Sequence, residues 1–155
     1  YYKAMYNTSL RIVKHEAEAE DIMQESFLNA FTKLDSWQGT STFGAWLKKI
    51  VVNKSINTYN KSLKYQEVSY TDQLKYAEDD GIGIDREAEE QNPKVRKLLK
   101  AMDELKENYR IALTLHLIEG YDHEEICEIL NISYANCRTT ISRAKESLRK
   151  KMEAL

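Results

Sequence analysis

Proline is nearly absent, one residue in 155, and glycine is scarce at five. Both residues interrupt regular backbone, so their shortage leaves room for long helices. No segment alternates apolar and polar residues between turn signals, which argues against a sheet. No apolar run approaches the roughly 20 residues needed to span a bilayer, and no basic start leads into an apolar core as in an export signal. The chain therefore reads as cytoplasmic, with no membrane insertion of its own. With two cysteines there is no disulfide scaffold, and in a reducing compartment a bond between Cys127 and Cys137 is not expected. His123 and Cys127 are spaced i, i+4 in HEEIC, yet a structural zinc site takes about four ligands and no second cluster is near, so neither metal nor cofactor is expected. The sequence also lacks a Ser/His/Asp grouping, a phosphate loop, and a carboxylate pair in a recognisable pocket. DDGIGID has neither calcium-loop spacing nor the context of a dinucleotide loop. An enzyme is not expected.

What is present is helical: 42% hydrophobic residues, with Leu, Ile, Lys and Glu recurring at three- and four-residue steps. The formal charge of -2 conceals an uneven distribution. Residues 1–61 carry eight basic and six acidic side chains, residues 62–93 three and nine, and residues 94–155 twelve and ten. The organisation expected is all-α: two small helical domains, 1–61 and 94–155, joined by an acidic flexible linker, 62–93. Neither domain has the strong basic excess that holds DNA unaided, which suggests that a partner assists.

Taken in order, Tyr2, Met5, Tyr6, Leu10 and Val13 mark a first helix that ends near His15. The chain opens inside this helix, at Tyr1, so an upstream stretch is expected. Glu16 to Leu34 reads as a second helix with Ala19, Ile22, Met23, Phe27, Ala30, Phe31 and Leu34 as its buried stripe. Its other side carries Glu20, Asp21, Gln24, Glu25 and Asn29, a set that suits plain solvation as well as binding. After DSWQGTST, Thr42 can cap a third helix packed through Phe43, Leu47, Ile50 and Val51. On an adjoining side Lys49, Asn53, Asn57 and Asn60 share an arc of about 80°, with Trp46 at its edge. Asn disfavours helix interiors but can pair with adenine, and an aromatic can stack on an unpaired base. A tolerated polar face remains the alternative.

Beyond the acidic segment, Pro93 stands near a helix start, and Val95, Leu98, Leu99, Met102 and Leu105 mark that helix. Tyr109, Ala112, Leu113, Leu115, His116 and Leu117 mark another, stopped by Gly120. Asp122 can then close a capping box with Glu125, Asn131 can end that short helix in the left-handed conformation, and Ser133 can cap the next after a tight turn. At about 100° per residue, the last helix groups Cys137, Ile141, Ala144 and Leu148 and directs Arg138, Thr139, Ser142, Arg143 and Arg149 elsewhere. One packed face opposite one basic face fits a helix-turn-helix in the DNA major groove, and also an αα-hairpin with a solvated basic face.

The spelling of several stretches narrows these alternatives. AEDIMQESFLNAF (19–31), WQGTSTFGAWLKKIVVN (37–53) and, past the acidic linker, EEICEILNISYANCRTTISRAKESL (124–148) occur in an order and spacing that resemble bacterial RNA polymerase sigma factors of the sigma-70 family, extracytoplasmic-function (ECF) group. The resemblance implies a two-domain transcription initiation factor without enzymatic activity. It implies docking on core RNA polymerase, on the β′ clamp helices through Asp21, Gln24 and Glu25 and on the β flap. For the promoter's minus-10 element it implies contacts from Trp37, Gly39, Ser41, Thr42, Trp46, Lys48, Lys49, Asn53 and Asn57, with Trp37 to Thr42 capturing a flipped base. For the minus-35 element it implies Arg138, Thr139, Ser142 and Arg143. It further implies an anti-sigma partner and an acidic connector that runs through the basic RNA exit region; separately, the negative charge of Asp79, Asp80, Glu89 and Glu90 is expected to discourage DNA binding by the free factor.

This chain departs from that pattern at Tyr134, Asn136, Cys137 and Thr140, where an acidic residue, Thr, Val and Arg are more usual, and at Asn60-Lys61, which replaces a more basic pair. These changes bear on the promoter sequence, not on the apolar framework. The rival in another class is a stand-alone helix-turn-helix regulator that binds duplex operators as a symmetric dimer.

Overall fold

The computed structural model of the chain describes residues 1–39, 41–68 and 92–154. Among them every regular element is helical, and they divide into two compact units, 1–84 and 85–155. The expectations for residues 69–91, including the acidic cluster at Asp79, Asp80, Glu89 and Glu90, fall outside the described residues.

The first unit packs three helices: α1 (Tyr2–Val13), α2 (Glu16–Thr32) and α3 (Phe43–Val68). Lys14 ends α1 in the left-handed conformation (φ 59°), and its N–H bonds to the Leu10 carbonyl. His15 then caps α2, its Nδ1 accepting from Glu18 N at 3.3 Å. A two-residue junction thus reverses the chain and lays α2 against α1. Met5, Ile22, Met23, Ala30, Leu47 and Val51 form the shared core. Each of the larger side chains among them, fully buried, contributes about 1.5–3 kcal/mol relative to exposure. Small polar residues also lie in this core: the Ser9 and Ser55 hydroxyls are hydrogen-bonded at 2.8 Å, and Ser55 Oγ donates to the Val51 carbonyl at 2.7 Å. Their size lets α1 and α3 approach while their hydroxyls stay satisfied.

Two features of this unit differ from the sequence reading. Phe31 and Leu34, assigned to the buried stripe of α2, are exposed; the buried set is Ala19, Ile22, Met23, Ser26 and Ala30. Phe31 lies roughly 120° around the helix from the centre of that set, so three- and four-residue spacing had drifted off the core face. Second, α3 runs on to Val68 instead of ending near Lys61, and Ser62 Oγ meets Glu18 Oε1 at 3.4 Å.

The second unit contains α4 (Pro93–Asp103), α5 (Glu107–Leu113), α6 (His123–Leu130) and α7 (Tyr134–Ala154). Asn92 caps α4 at Lys94 N, with Pro93 at the first helical position, where its missing N–H costs nothing. Ala101, Met102, Leu105, Leu113, Ala144 and Leu148 make the core, and long α7 is its spine. α5 does not simply continue. Thr114–Ile118 winds as a wide π turn, with Glu119 N bonded to the Thr114 carbonyl and Tyr121 N to the Leu115 carbonyl, both at 3.0 Å. The extra residue in this turn leaves Leu115 buried, sends Leu117 out to solvent, and brings His116 Nδ1 within 2.9 Å of the Tyr121 carbonyl oxygen. Gly120 (φ 79°) closes the segment.

Candidate nucleic-acid and partner interfaces

Three surfaces gather the residues singled out by sequence. On α2, Asp21, Gln24 and Glu25 are all exposed. They share an arc of about 120° with Leu28 and Phe31. Leu28 is 67% and Phe31 76% exposed, so this side of the helix is partly apolar as well as acidic and amidic. The carboxylate of Glu25 is not free-standing: Lys54 of α3 donates to its Oε2 at 3.0 Å. Leu28 and Phe31 are residues that the sequence reading missed as surface features. The signal was present, since α2 has more large apolar side chains than one stripe can bury.

The second surface begins in the segment between α2 and α3. A short 3-10 turn (Leu34–Ser36) leads to Trp37, whose indole N–H donates to the Ser41 carbonyl at 3.1 Å. Trp37 packs edge-on against Phe43 (centroids 5.6 Å apart) and lies 6.3 Å from Trp46. Gly39 has φ 71°, and nothing lies within 4 Å of where a Cβ would be, so the position needs glycine for its backbone and not for space. Thr42 caps α3, its Oγ1 accepting from Ala45 N at 3.2 Å. Thr40 is outside the described residues. Lys49, Asn53, Asn57 and Asn60 are exposed along one stripe of α3, while Leu47, Val51 and Ser55 are buried on the other side and Val52 and Ile56 are buried along its edge. Lys48 does not join this stripe; helical geometry places it roughly 140° from Asn53, and it is half-buried.

The third surface is the outer face of α7. The helix-turn-helix forms as its sequence signals require. Asp122 Oδ1 accepts from Glu125 N at 2.8 Å while Glu125 Oε1 accepts from Asp122 N at 3.1 Å; Asn131 turns left-handed (φ 55°); and Ser133 Oγ accepts from Asn136 N at 3.1 Å. Cys137, Ile141, Ala144 and Leu148 are buried, which leaves Arg138, Thr139, Ser142 and Arg143 exposed together. Arg149, by contrast, is held on its own helix by Glu146 (2.6 Å) and Glu153 (2.9 Å). His123 and Cys127 are occupied in packing: the His123 ring lies 5.1 Å from that of His116, and Cys137 Sγ approaches the His123 carbonyl at 3.6 Å. Burial, and then the neighbouring Cys127, push the Cys137 thiol up to about 11. Among the described residues no group of three or more His, Cys, Asp or Glu is placed to hold a metal, and no helix is long and apolar enough to cross a membrane.

Comparison with known proteins accounts for both units. Family descriptions match in sequence order, "Sigma-70 region 2" over residues 1–64 and "Sigma-70, region 4" over residues 95–148. The RNA polymerase sigma factor YlaC of Bacillus subtilis is 30% identical over 154 residues, covering 98% of this chain and 87% of YlaC. The ECF RNA polymerase sigma factor SigW of the same organism is 32% identical over 165 residues (100% and 86%), and the ECF sigma-E factor of Salmonella typhimurium 30% over 146 residues (89% and 75%). Among solved structures, a sigma factor RpoE bound to the anti-sigma factor NepR, from Bartonella quintana, superposes with a TM-score of 0.63 at 21% identity over 98% of this chain and 91% of its own. CnrH, solved in complex with the cytosolic domain of CnrY, gives 0.54 at 20% identity (97% and 81%). The chain belongs to the ECF group of sigma-70 family RNA polymerase sigma factors. It is a transcription initiation factor that directs RNA polymerase to promoters, and the matches to both units in order disfavour a stand-alone duplex-binding regulator.

Proposed function

We propose that α2 docks on the clamp helices of the polymerase β′ subunit through Asp21, Gln24 and Glu25, extended by Leu28 and Phe31. One observation carries this reading: two large apolar side chains stand in water on the same side of α2 as the acidic and amidic residues, on a helix whose opposite side is closed core. Apolar surface left exposed beside polar groups suits a partner that covers it. Lys49, Asn53 and Asn57, with Trp37 and Trp46 beside them, then receive the minus-10 strand, and the Trp37–Thr42 segment with Gly39 and Ser41 takes a base turned out of the stack. Lys48 contributes charge nearby but not a place in the asparagine stripe. Arg138, Thr139, Ser142 and Arg143 read the minus-35 element from the major groove. The polymerase supplies the catalysis and the β flap a second dock, and the factor works in the cytoplasm. An anti-sigma partner, such as NepR is for RpoE of Bartonella quintana, competes for these surfaces.

The test is fluorescence anisotropy of the labelled chain with bacterial core RNA polymerase. One-to-one binding that weakens on Gln24→Ala supports the docking surface. Absence of binding by the folded chain, with duplex DNA bound instead by a dimer, overturns it.

A further inference from the structure

We propose that Tyr134 is a positioning residue of the recognition helix: its ring holds the Arg138 guanidinium toward one base pair of the upstream element and so sets how sharply that pair is read. The inference rests on the reading of α7 as the minus-35 helix. Tyr134 opens α7, where a recognition helix meets base edges, and it is 51% exposed. It is nevertheless backed. Its ring lies 6.3 Å from His123 of α6, His123 lies 5.1 Å from His116, and His116 Nδ1 is tied to the Tyr121 carbonyl at 2.9 Å. This row of rings ends on main chain, which gives the Tyr134 ring a fixed support at the border between α6 and the exposed face of α7.

On its outer side the ring meets Arg138 one turn on, with the guanidinium carbon 5.9 Å from the ring centroid. The kind of contact matters. Arg149, farther along α7, is engaged by two carboxylates that occupy its N–H donors. A ring attracts the cation through its π face and leaves the in-plane donors available for guanine O6 and N7. An arginine limited in advance to a few rotamers also loses less freedom on binding, and only along the direction in which it is held. The gain therefore falls on the base pair that Arg138 addresses and not on affinity in general.

The experiment uses holoenzyme reconstituted from the full chain and bacterial core polymerase, offered a pool of promoter duplexes randomised across the upstream element, with the bound DNA sequenced. Tyr134→Phe is expected to keep the parent preferences. Tyr134→Ala is expected to lose about tenfold in preference at one base pair, the same pair that Arg138→Ala relaxes, with the other positions and the melting temperature unchanged. The double variant is expected to be no worse than Arg138→Ala alone. Uniform loss across all sequences in Tyr134→Ala, or Tyr134→Phe behaving like Tyr134→Ala, overturns the proposal. So does relaxation by Arg138→Ala of a pair that Tyr134→Ala leaves intact, in which case the base-reading role of Arg138 stands. If Arg138→Ala relaxes no pair, that role and the proposal fall together.

Discussion

Lys54 of α3 donates to the Glu25 carboxylate of α2 at 3.0 Å, so an ion pair joins the helix face assigned to polymerase to the helix that carries the asparagine stripe. Glu25 is therefore already partnered when the factor is free. The Glu25 side chain is 63% exposed and that of Lys54 30%, and a pair with this access to solvent contributes only about 0–1 kcal/mol. Glu25→Gln should lower stability by less than about 1 kcal/mol, and less still at high salt. It should also weaken polymerase binding less than Gln24→Ala does. Thermal melts at two salt concentrations and anisotropy with core polymerase check both halves; a Glu25→Gln loss larger than that of Gln24→Ala would contradict the assignment.

Phe31 offers a cleaner separation of binding from folding. Being 76% exposed, it can become Ser with a stability change within about 0.5 kcal/mol. If it anchors the docking surface, Phe31→Ser should cost tenfold or more in polymerase affinity, on the order of 1.4 kcal/mol or above. Met23, fully buried on the other side of the same helix, should behave oppositely, with Met23→Ala destabilising by about 2–5 kcal/mol. Comparing melting temperature with affinity for the two variants tests the division of α2 into a core side and a partner side.

That division shows where sequence reasoning reaches its limit. The helix-turn-helix was legible almost residue by residue, because its signals are local: an Asp and a Glu three apart, an Asn able to turn left-handed, a capping Ser. The Lys49–Asn53–Asn57–Asn60 stripe was legible because a polar run at helical spacing has only one way to lie. Phe31 was misplaced because periodicity says that apolar residues share a side but not which members are surplus to the core. The π turn at Thr114–Ile118 was invisible, since nothing local distinguishes it from ordinary helix; packing of Leu115 and the bond from His116 to Tyr121 accompany it. Lys48 entered the minus-10 set through family resemblance alone, and helical geometry separates it from its companions.

Asn53 sits on the exposed side of α3, opposite Val51 and Ser55. Asn53→Ala should leave folding and polymerase binding intact and reduce the stability of the opened promoter by about 1–3 kcal/mol, the value of one bidentate base contact. Fluorescence of a base analogue in the minus-10 strand follows opening directly. Equal losses in closed and opened complexes would instead assign Asn53 to general backbone contact. Lys48→Ala should have the smaller effect on opening of the two.

Cys137 predicts a pH dependence with a definite sign. Its thiol is buried between α6 and α7, and burial together with Cys127 raises it to about 11. In the unfolded chain the same thiol titrates near 8.5. Between these values the unfolded chain releases a proton that the folded chain retains, so the raised value favours unfolding as pH rises. The stability contributed by the neutral buried thiol is complete below about pH 8.5 and is lost progressively toward pH 11. Tyr121, raised to about 12 by burial and by Glu119 and Glu125, acts in the same direction but at higher pH, since free tyrosine is half-ionised only near pH 10. Tyr2 and Tyr6, also raised, act at the same end of the range, so the cysteine is separated by comparing the parent with a Cys137 variant between about pH 8.5 and 10. Cys137→Ala should be somewhat less stable at neutral pH, having lost a buried side chain, yet its melting temperature should fall less steeply across that window than that of the parent chain. Parallel slopes for the two proteins would show that the thiol titrates no differently in the folded chain than in the unfolded one.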